Sequence, residues 1–233
     1  MLKNIFLIVF IFFIIISCKN DNTNGFKISG TSDSYITGST ARLFRVENKK
    51  KKVLDSTVLE KGNFTFEGKV DGPDIYYITI DNVLGALPII LANETFDLQV
   101  IKDSLANSKI IGSKENDYTQ KYNEGTQYLR DKHKVLNERF QIFKLSGNKD
   151  SMQTVKFSYD SLVLEKGKFD VSFIKKYPNT TLAALILERI TMAKQISEEE
   201  TNLLYKTLSK EMQNTRAAKY ALEFIEEQKK RNN

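Results

Sequence analysis

The spacing of apolar residues changes once along this chain, and that change limits the fold more than any other feature. From Phe26 to Gly112, apolar and polar residues alternate, as they do at 26–30 and 64–70. A period of two, with Gly, Asn, Asp and Pro between the runs, is typical of half-buried β-strands. From Lys114 onward the period is 3.6, as in amphipathic helices. The sequence therefore predicts an α+β fold.

The alternating segment predicts an antiparallel β domain over residues 26–113, a sandwich or a meander of about seven or eight short strands. Each strand is expected to turn one face to the core and the other to water. The pattern Phe-x-apolar-x-Gly occurs at 26–30 and again at 64–68. It is either a weak internal repeat or, as we favour, two similar strands that each end in a glycine bulge or turn.

The run Lys49–Lys52 places four positive charges in succession within this domain. On an anionic membrane such a run would contribute about 1 kcal/mol per basic residue. The interpretation we favour is a solvated hairpin tip whose charges prevent edge-to-edge pairing of strands.

Residues 114–233 are predicted to be an α-helical region with apolar stripes. One stripe, at 118–143, includes His133, which we expect to be packed or half-buried rather than a ligand. A second stripe, at 152–173, is interrupted by Lys166, which is expected to extend outward. Later in the region, Pro178 is predicted to end a helix, and Asn179 or Thr180 is predicted to cap the next one. Ser197 and Glu200 are predicted to form a capping box.

The N-terminus has the parts of an export signal. Lys3 supplies a positive charge, an unbroken apolar run extends from Ile5 to Ile16, and Ser17-Cys18 follows. The run has 12 residues, which as a helix span about 18 Å, whereas a bilayer core is about 30 Å thick. It is therefore short for a transmembrane helix and suits a signal peptide. A small residue directly before a cysteine is what a lipoprotein signal peptidase recognises.

We therefore predict a signal peptide at residues 1–17 and a lipidated cysteine, Cys18, with a polar tether over 18–25. Several acyl chains hold a protein durably in a membrane, because each buried CH₂ contributes about 0.8 kcal/mol. An unlipidated signal peptide and a single-pass anchor are the alternatives. Lys19 stands where many Gram-negative lipoproteins retained in the inner membrane have aspartate, so an outer-membrane location, periplasmic or surface-facing, is expected.

Composition excludes several kinds of chemistry. The sequence has one cysteine and one histidine, which leaves no internal disulfide, CxxC pair, cysteine-rich zinc site or HExxH motif. It contains no phosphate-binding glycine loop and no GxSxG elbow. The formal net charge is +6, and +5 without Lys3. The basic residues are scattered, which argues against nucleic acid as a partner. No catalytic residue, cofactor or metal is expected.

Several segments resemble a known family. Residues 54–58 (LDSTV) and 62–73 (GNFTFEGKVDGP), which follow Cys18, resemble the domain of unknown function at the N-terminus of envelope thioredoxin-like proteins of the TlpA/ResA type. Residues 110–113 resemble the strand that closes that domain, and 177–180 resemble the signature of its helical connector. The resemblance implies the fold and a lipid-anchored location. It implies no redox activity, because the sequence contains no WCxxC motif.

We expect a membrane-anchored, non-catalytic lipoprotein of the bacterial envelope that acts as a binding or accessory module. Its lipid would hold it to the membrane, an envelope protein is the expected kind of partner, and any small-molecule ligand is unknown. One alternative is a helper that acts in trans with a separate thioredoxin-like thiol-disulfide oxidoreductase. Another is a hydrolase that uses paired carboxylates, which spacing alone does not identify. A vestigial chain without activity is the last alternative.

Overall fold

The structure is a computed structural model that describes residues 25–32, 38–47 and 49–232. The predicted signal peptide, Cys18 and the tether up to residue 24 lie outside the described residues. Eight strands come first along the described chain, and seven helices follow. The predicted α+β fold class is confirmed.

The eight strands form two four-stranded sheets. In chain order they are β1 (Phe26–Ser32), β2 (Thr40–Glu47), β3 (Lys50–Val58), β4 (Asn63–Gly68), β5 (Asp74–Ile80), β6 (Leu87–Leu91), β7 (Thr95–Val100) and β8 (Lys109–Ile111). The spatial order is β4-β1-β7-β8 in one sheet and β3-β2-β5-β6 in the other. Fully buried side chains from both sheets, among them Leu43, Phe66, Ile78 and Leu98, belong to one core cluster. The sheets therefore form a sandwich.

Burial alternates along β1, β4, β5 and β7, as the period of two predicts. Two features differ from the expectation. Strands β1 and β7 pair in parallel, whereas the other five described strand pairs are antiparallel. In addition, β3 has no buried residue. It is an edge strand, and Leu54 is an extra residue at the bulge opposite Leu43 and Phe44. The hairpin predicted at the lysine run is confirmed, since Glu47 pairs with Lys50 and the lysines are exposed.

The two Phe-x-apolar-x-Gly segments pair with each other. In the β1–β4 register, Phe26 lies opposite Gly68 and Gly30 lies opposite Phe64. A Cβ atom on Gly30 would lie 2.1 Å from the Phe64 ring, and one on Gly68 would lie 2.9 Å from the Phe26 ring. The expectation of a bulge or turn at Gly30 is wrong, because the pairing of β1 with β4 continues past Gly30 without a shift in register. Each glycine instead makes room for an aromatic ring of the partner strand.

Seven helices follow the sandwich. They are α1 (Lys114–Gly125), α2 (Gln127–Leu145), α3 (Lys149–Lys176), α4 (Thr181–Met192), α5 (Glu198–Thr207), α6 (Lys210–Gln213) and α7 (Arg216–Asn232). The stripe expected on one helix at 118–143 is divided between α1 and α2 at Thr126, which has a non-helical backbone. Thr180 and Ser197 are the N-caps of α4 and α5, as predicted. No helix among the described residues is both long and apolar enough to span a bilayer.

Helix α1 covers the free edge of one sheet. The alternation does not predict β6, because its residues are a continuous apolar run that contains Pro88. Proline is tolerated there, since β6 is an edge strand. The Oδ1 atom of Asn116 accepts a hydrogen bond from the Ile90 N–H at 2.9 Å, and its Nδ2 donates to the Ile90 carbonyl at 2.8 Å. One buried amide side chain thus satisfies backbone groups that a further strand would otherwise pair.

Arg216, the first residue of α7, makes a second connection between the helices and the sandwich. Its Nε and Nη2 atoms donate to the two carboxylate oxygens of Asp74 in β5, at 2.5 and 2.9 Å. Its Nη1 also bonds Glu188 of α4 at 2.7 Å. Two-pronged arginine–carboxylate pairs fix orientation as well as distance, so α4 and α7 are held against the start of β5.

We predict that Gly30→Ala lowers the free energy of unfolding by about 1–3 kcal/mol, the usual cost of overpacking, because the new methyl group overlaps the Phe64 ring. Gly72→Ala is the matched control, since a Cβ there meets nothing within 4 Å, and its effect should stay within about 0.5 kcal/mol. Urea denaturation of both variants is the measurement. Equal effects would contradict the packing role of Gly30.

We also predict that Asn116→Asp destabilises the protein by about 1–3 kcal/mol, because a carboxylate oxygen replaces the donor to the buried Ile90 carbonyl. Amide hydrogen exchange along β6 should accelerate at the same time. Asn137→Asp, an exposed position in the middle of α2, makes the same chemical change without these effects. Unchanged exchange at β6 in the Asn116 variant would disprove the edge-covering role.

Candidate functional site

A fully buried carboxylate, Asp170, lies among the helices. Lys166 precedes it by one turn of α3, on the same helix face, and its Nζ is 2.6 Å from Asp170 Oδ1. Arg189 of α4 places Nη2 2.7 Å from Oδ2. Tyr122 of α1 donates its hydroxyl proton to Oδ1 at 2.5 Å. We call these four residues the Asp170 cluster, and together they join α1, α3 and α4.

The expectation that Lys166 extends outward is wrong. Its side chain is only 28% exposed, because its ammonium group bonds Asp170 and the Tyr122 hydroxyl. The ammonium also lies 4.8 Å from the centre of the Tyr122 ring, within range of a cation–π contact. The lysine interrupts the apolar stripe in order to bind a buried anion rather than to reach solvent.

Burial dominates the ionisation of this cluster. Burial and the hydrogen bond to Asp170 raise the pKa of Tyr122, so the hydroxyl keeps its proton at neutral pH. Burial lowers the pKa of Lys166, while the hydrogen bond to Asp170 acts in the opposite direction. The positive charges of Arg130 and Arg189 favour proton loss from both groups. Three basic side chains, Lys166, Arg189 and Arg130, therefore lie around Tyr122 and a single carboxylate.

Asp170 is placed to position the cations rather than to meet a ligand itself. Its side chain is 0% exposed. Its two oxygens already accept bonds from Tyr122, Lys166 and Arg189. A carboxylate held by charged donors in this way fixes their orientation, so the groups available to a ligand are the outer faces of the two cations.

Two clefts lie beside the cluster, and Tyr122 lines both of them. The first, which we call the sheet cleft, has a volume of about 560 Å³ and is lined by β6 and α4, with mostly apolar walls and Arg189. The second, the helix cleft, has a volume of about 600 Å³ and is lined by α2 and α3. Both volumes fall in the range of small-molecule sites.

The lining of the helix cleft combines basic with apolar side chains. Its basic and polar lining includes Arg130, His133, Lys166 and Gln195. The apolar and aromatic lining includes Leu129, Tyr159, Leu162 and Val163. Among the described residues no carboxylate lines this cleft, so the lining that the structure describes offers positive charge without a competing negative group.

His133 is not packed or half-buried as expected. It is exposed on α2, and its ring contacts Tyr159 edge-on with the ring centres 5.4 Å apart. The main neighbour of α2 is α3, and His133 lies where the two helices border the helix cleft, so its ring contacts Tyr159 but stays open to water. Within the described ranges, no group of three or more His, Cys, Asp or Glu side chains is arranged to hold a metal ion.

Sequence reasoning did not find Asp170, Arg189 or Tyr122 as a group. One signal was present, because Lys166 and Asp170 are four residues apart on a stripe that is otherwise apolar. Opposite charges at that spacing on a buried face indicate a pair with additional partners. The partners themselves come from α1 and α4, and no local pattern predicts them. Cys18, the one site residue predicted from the sequence, lies outside the described residues.

The β region matches one protein-family model. Residues 26–119 match the family described as a domain of unknown function, DUF4369. The DUF4369 match covers all eight strands and continues into α1 as far as Thr119. It therefore includes Asn116, the residue that covers the β6 edge. No curated protein matches the chain.

The DUF4369 match includes part of the lining of the sheet cleft but not the Asp170 cluster itself. All four members of the Asp170 cluster lie beyond residue 119 and hence outside the matched segment. The sheet cleft is lined from both parts, because Ile90 and Thr119 belong to the DUF4369 segment and Leu185 to α4. The match supports a domain of unknown function, and the resemblance to TlpA/ResA-type proteins stays a prediction.

We predict that Asp170→Asn lowers the free energy of unfolding by about 1.5–3 kcal/mol, because the partly exposed cations Lys166 and Arg189 lose the charged acceptor that holds them. Adding Lys166→Met in that background should restore part of the loss, since it removes one uncompensated charge. Asp160→Asn, an exposed site on the same helix, is the control and should be nearly neutral. Thermal and urea denaturation measure all three. A double variant less stable than Asp170→Asn alone would refute this electrostatic account.

Proposed function

We propose that this protein is a lipid-anchored lipoprotein of the bacterial outer membrane whose folded part is a non-catalytic binding module. The observation that carries the proposal is the 12-residue apolar run that is followed, after Ser17, by the only cysteine of the sequence, Cys18. Acylation there would hold the protein durably at a membrane, because the contributions of several chains add. Lys19, in the position where aspartate favours inner-membrane retention, supports the outer membrane.

The short tether would keep the folded part near the membrane. Residues 19–25 can span about 25 Å at most when fully extended. Strand β1 begins at Phe26, directly after this segment. The module would therefore work within a few nanometres of the lipid surface, where ligands of the envelope are concentrated.

The arrangement of the Asp170 cluster supports binding rather than catalysis. Its carboxylate is buried and fully engaged by neighbouring donors, whereas a general base must reach the proton that it removes. The two adjacent clefts have the size of ligand sites. Exposed apolar residues on the α2–α3 pair, such as Ile142, Leu145 and Phe157, support an envelope protein as a further partner.

Intact-mass measurement of membrane-extracted protein tests the anchor. The wild type is expected to lack residues 1–17 and to carry added acyl mass. Cys18→Ala should carry no acyl mass and should not be found as the processed, membrane-bound form. Ser17→Ala is the matched control, because it keeps a small residue before the cysteine and should be processed like the wild type. Wild-type protein recovered in soluble form with a free thiol would refute the proposal.

A further inference from the structure

The helix cleft contains an arginine that is positioned entirely by neutral groups. Arg130 Nη1 donates to Thr126 Oγ1 at 2.8 Å, and its Nη2 donates to the Asn123 carbonyl at 2.5 Å and to Gln127 Oε1 at 2.6 Å. No carboxylate among the described residues pairs with it. A guanidinium has five N–H donors, and these bonds use three of them. The charge and two donors are thus left for a ligand.

Lys166 adds a second positive charge to the lining of the same cleft. Its ammonium group donates hydrogen bonds to Asp170 and Tyr122, so one of its three N–H donors remains for a ligand. Asp170 also neutralises Arg189 on the opposite side of the cluster. The cluster therefore retains one net positive charge, to which Arg130 adds another. The protein's own described residues do not balance this charge.

The lining of the cleft also has an apolar part, formed by residues of the same two helices, α2 and α3. Leu129 and Leu162 are buried beneath it, and Tyr159 and Val163 flank them. A small inorganic anion would satisfy the cations and leave this apolar part wet. A neutral lipid would cover the apolar part and leave the cations unpaired. The ligand that satisfies both is an anion with an apolar chain.

We propose that the helix cleft binds a long-chain carboxylate, with its head group on Arg130 and Lys166 and its chain along Leu129, Leu162 and Val163. A carboxylate is favoured over a phosphate head group because only three N–H donors are left, two on Arg130 and one on Lys166, and the two oxygens of a carboxylate are enough to accept them. This inference rests on the proposed binding function and names the ligand class. Proximity to a membrane would supply such molecules.

Calorimetric titration of the folded, unlipidated protein (residues 19–233 after a start methionine) with submicellar dodecanoate tests the proposal. Dodecanoate should bind one to one, and dodecanol at least tenfold more weakly. Dodecyl phosphate that binds more tightly than dodecanoate would overturn the carboxylate assignment, and so would equal binding of dodecanol. Absence of dodecanoate binding to the folded wild type would overturn the proposal outright.

Two pairs of variants locate the site. Arg130→Gln should weaken dodecanoate binding at least tenfold, whereas Arg139→Gln, an exposed arginine on the same helix outside the cleft, should change it less than twofold. Val163→Glu places a repelling charge on the cleft wall, and Leu164→Glu is its control. Val163 is 52% exposed and Leu164 67%, so both variants should fold, which circular dichroism verifies.

Equal losses in a variant and its control would overturn the location. The test is independent of the anchor, because it uses protein without acyl chains. Normal acylation of Cys18 together with no dodecanoate binding would refute the ligand class and leave the anchor intact. Dodecanoate binding by a protein whose Cys18 is never acylated would refute the anchor alone.

Discussion

The arrangement of the whole molecule depends on how the free edge of β6 is covered. An edge strand presents backbone donors and acceptors that must be paired or hydrated, and here the Asn116 amide bonds both groups of Ile90. That pair fixes the position and direction of α1 relative to the sandwich. Tyr122 lies further along the same helix and reaches Asp170. The Asn116 contact, together with the Arg216–Asp74 pair that holds α4 and α7, positions the helices that surround the buried charge.

The buried charge in turn organises the helices. Asp170 receives a lysine from its own helix, an arginine from α4 and a tyrosine from α1. Buried ion pairs contribute little net stability compared with apolar packing, because removing the charges from water costs about as much as their attraction returns. Their geometric requirement is strict, however, since each donor must meet a specific oxygen. We infer that the Asp170 cluster specifies how three helices meet more than how tightly they do so.

The sequence predicts features that depend on local pattern and misses those that depend on partners. Alternation identifies most strands, and helix caps such as Thr180 follow from residue type and position. Gly30 is misinterpreted, because its requirement comes from Phe64 on another strand. Lys166 is misinterpreted in the same way, because Tyr122, which completes its site, comes from another helix and becomes a neighbour only in the folded chain. For the same reason the parallel pairing of β1 with β7 leaves no local signal.

The same distinction explains why the clefts carry unbalanced charge. Arg216, which connects the helices to the sandwich, is matched by carboxylates of neighbouring elements, Asp74 and Glu188. Arg130 and Lys166 have a different environment, in which neutral groups position one cation and a shared carboxylate positions the other. Arg130 is exposed and Lys166 is half-buried, so both cations remain open to a ligand in the same cleft. The proposed long-chain carboxylate would bond these cations through its head group and cover the apolar lining with its chain.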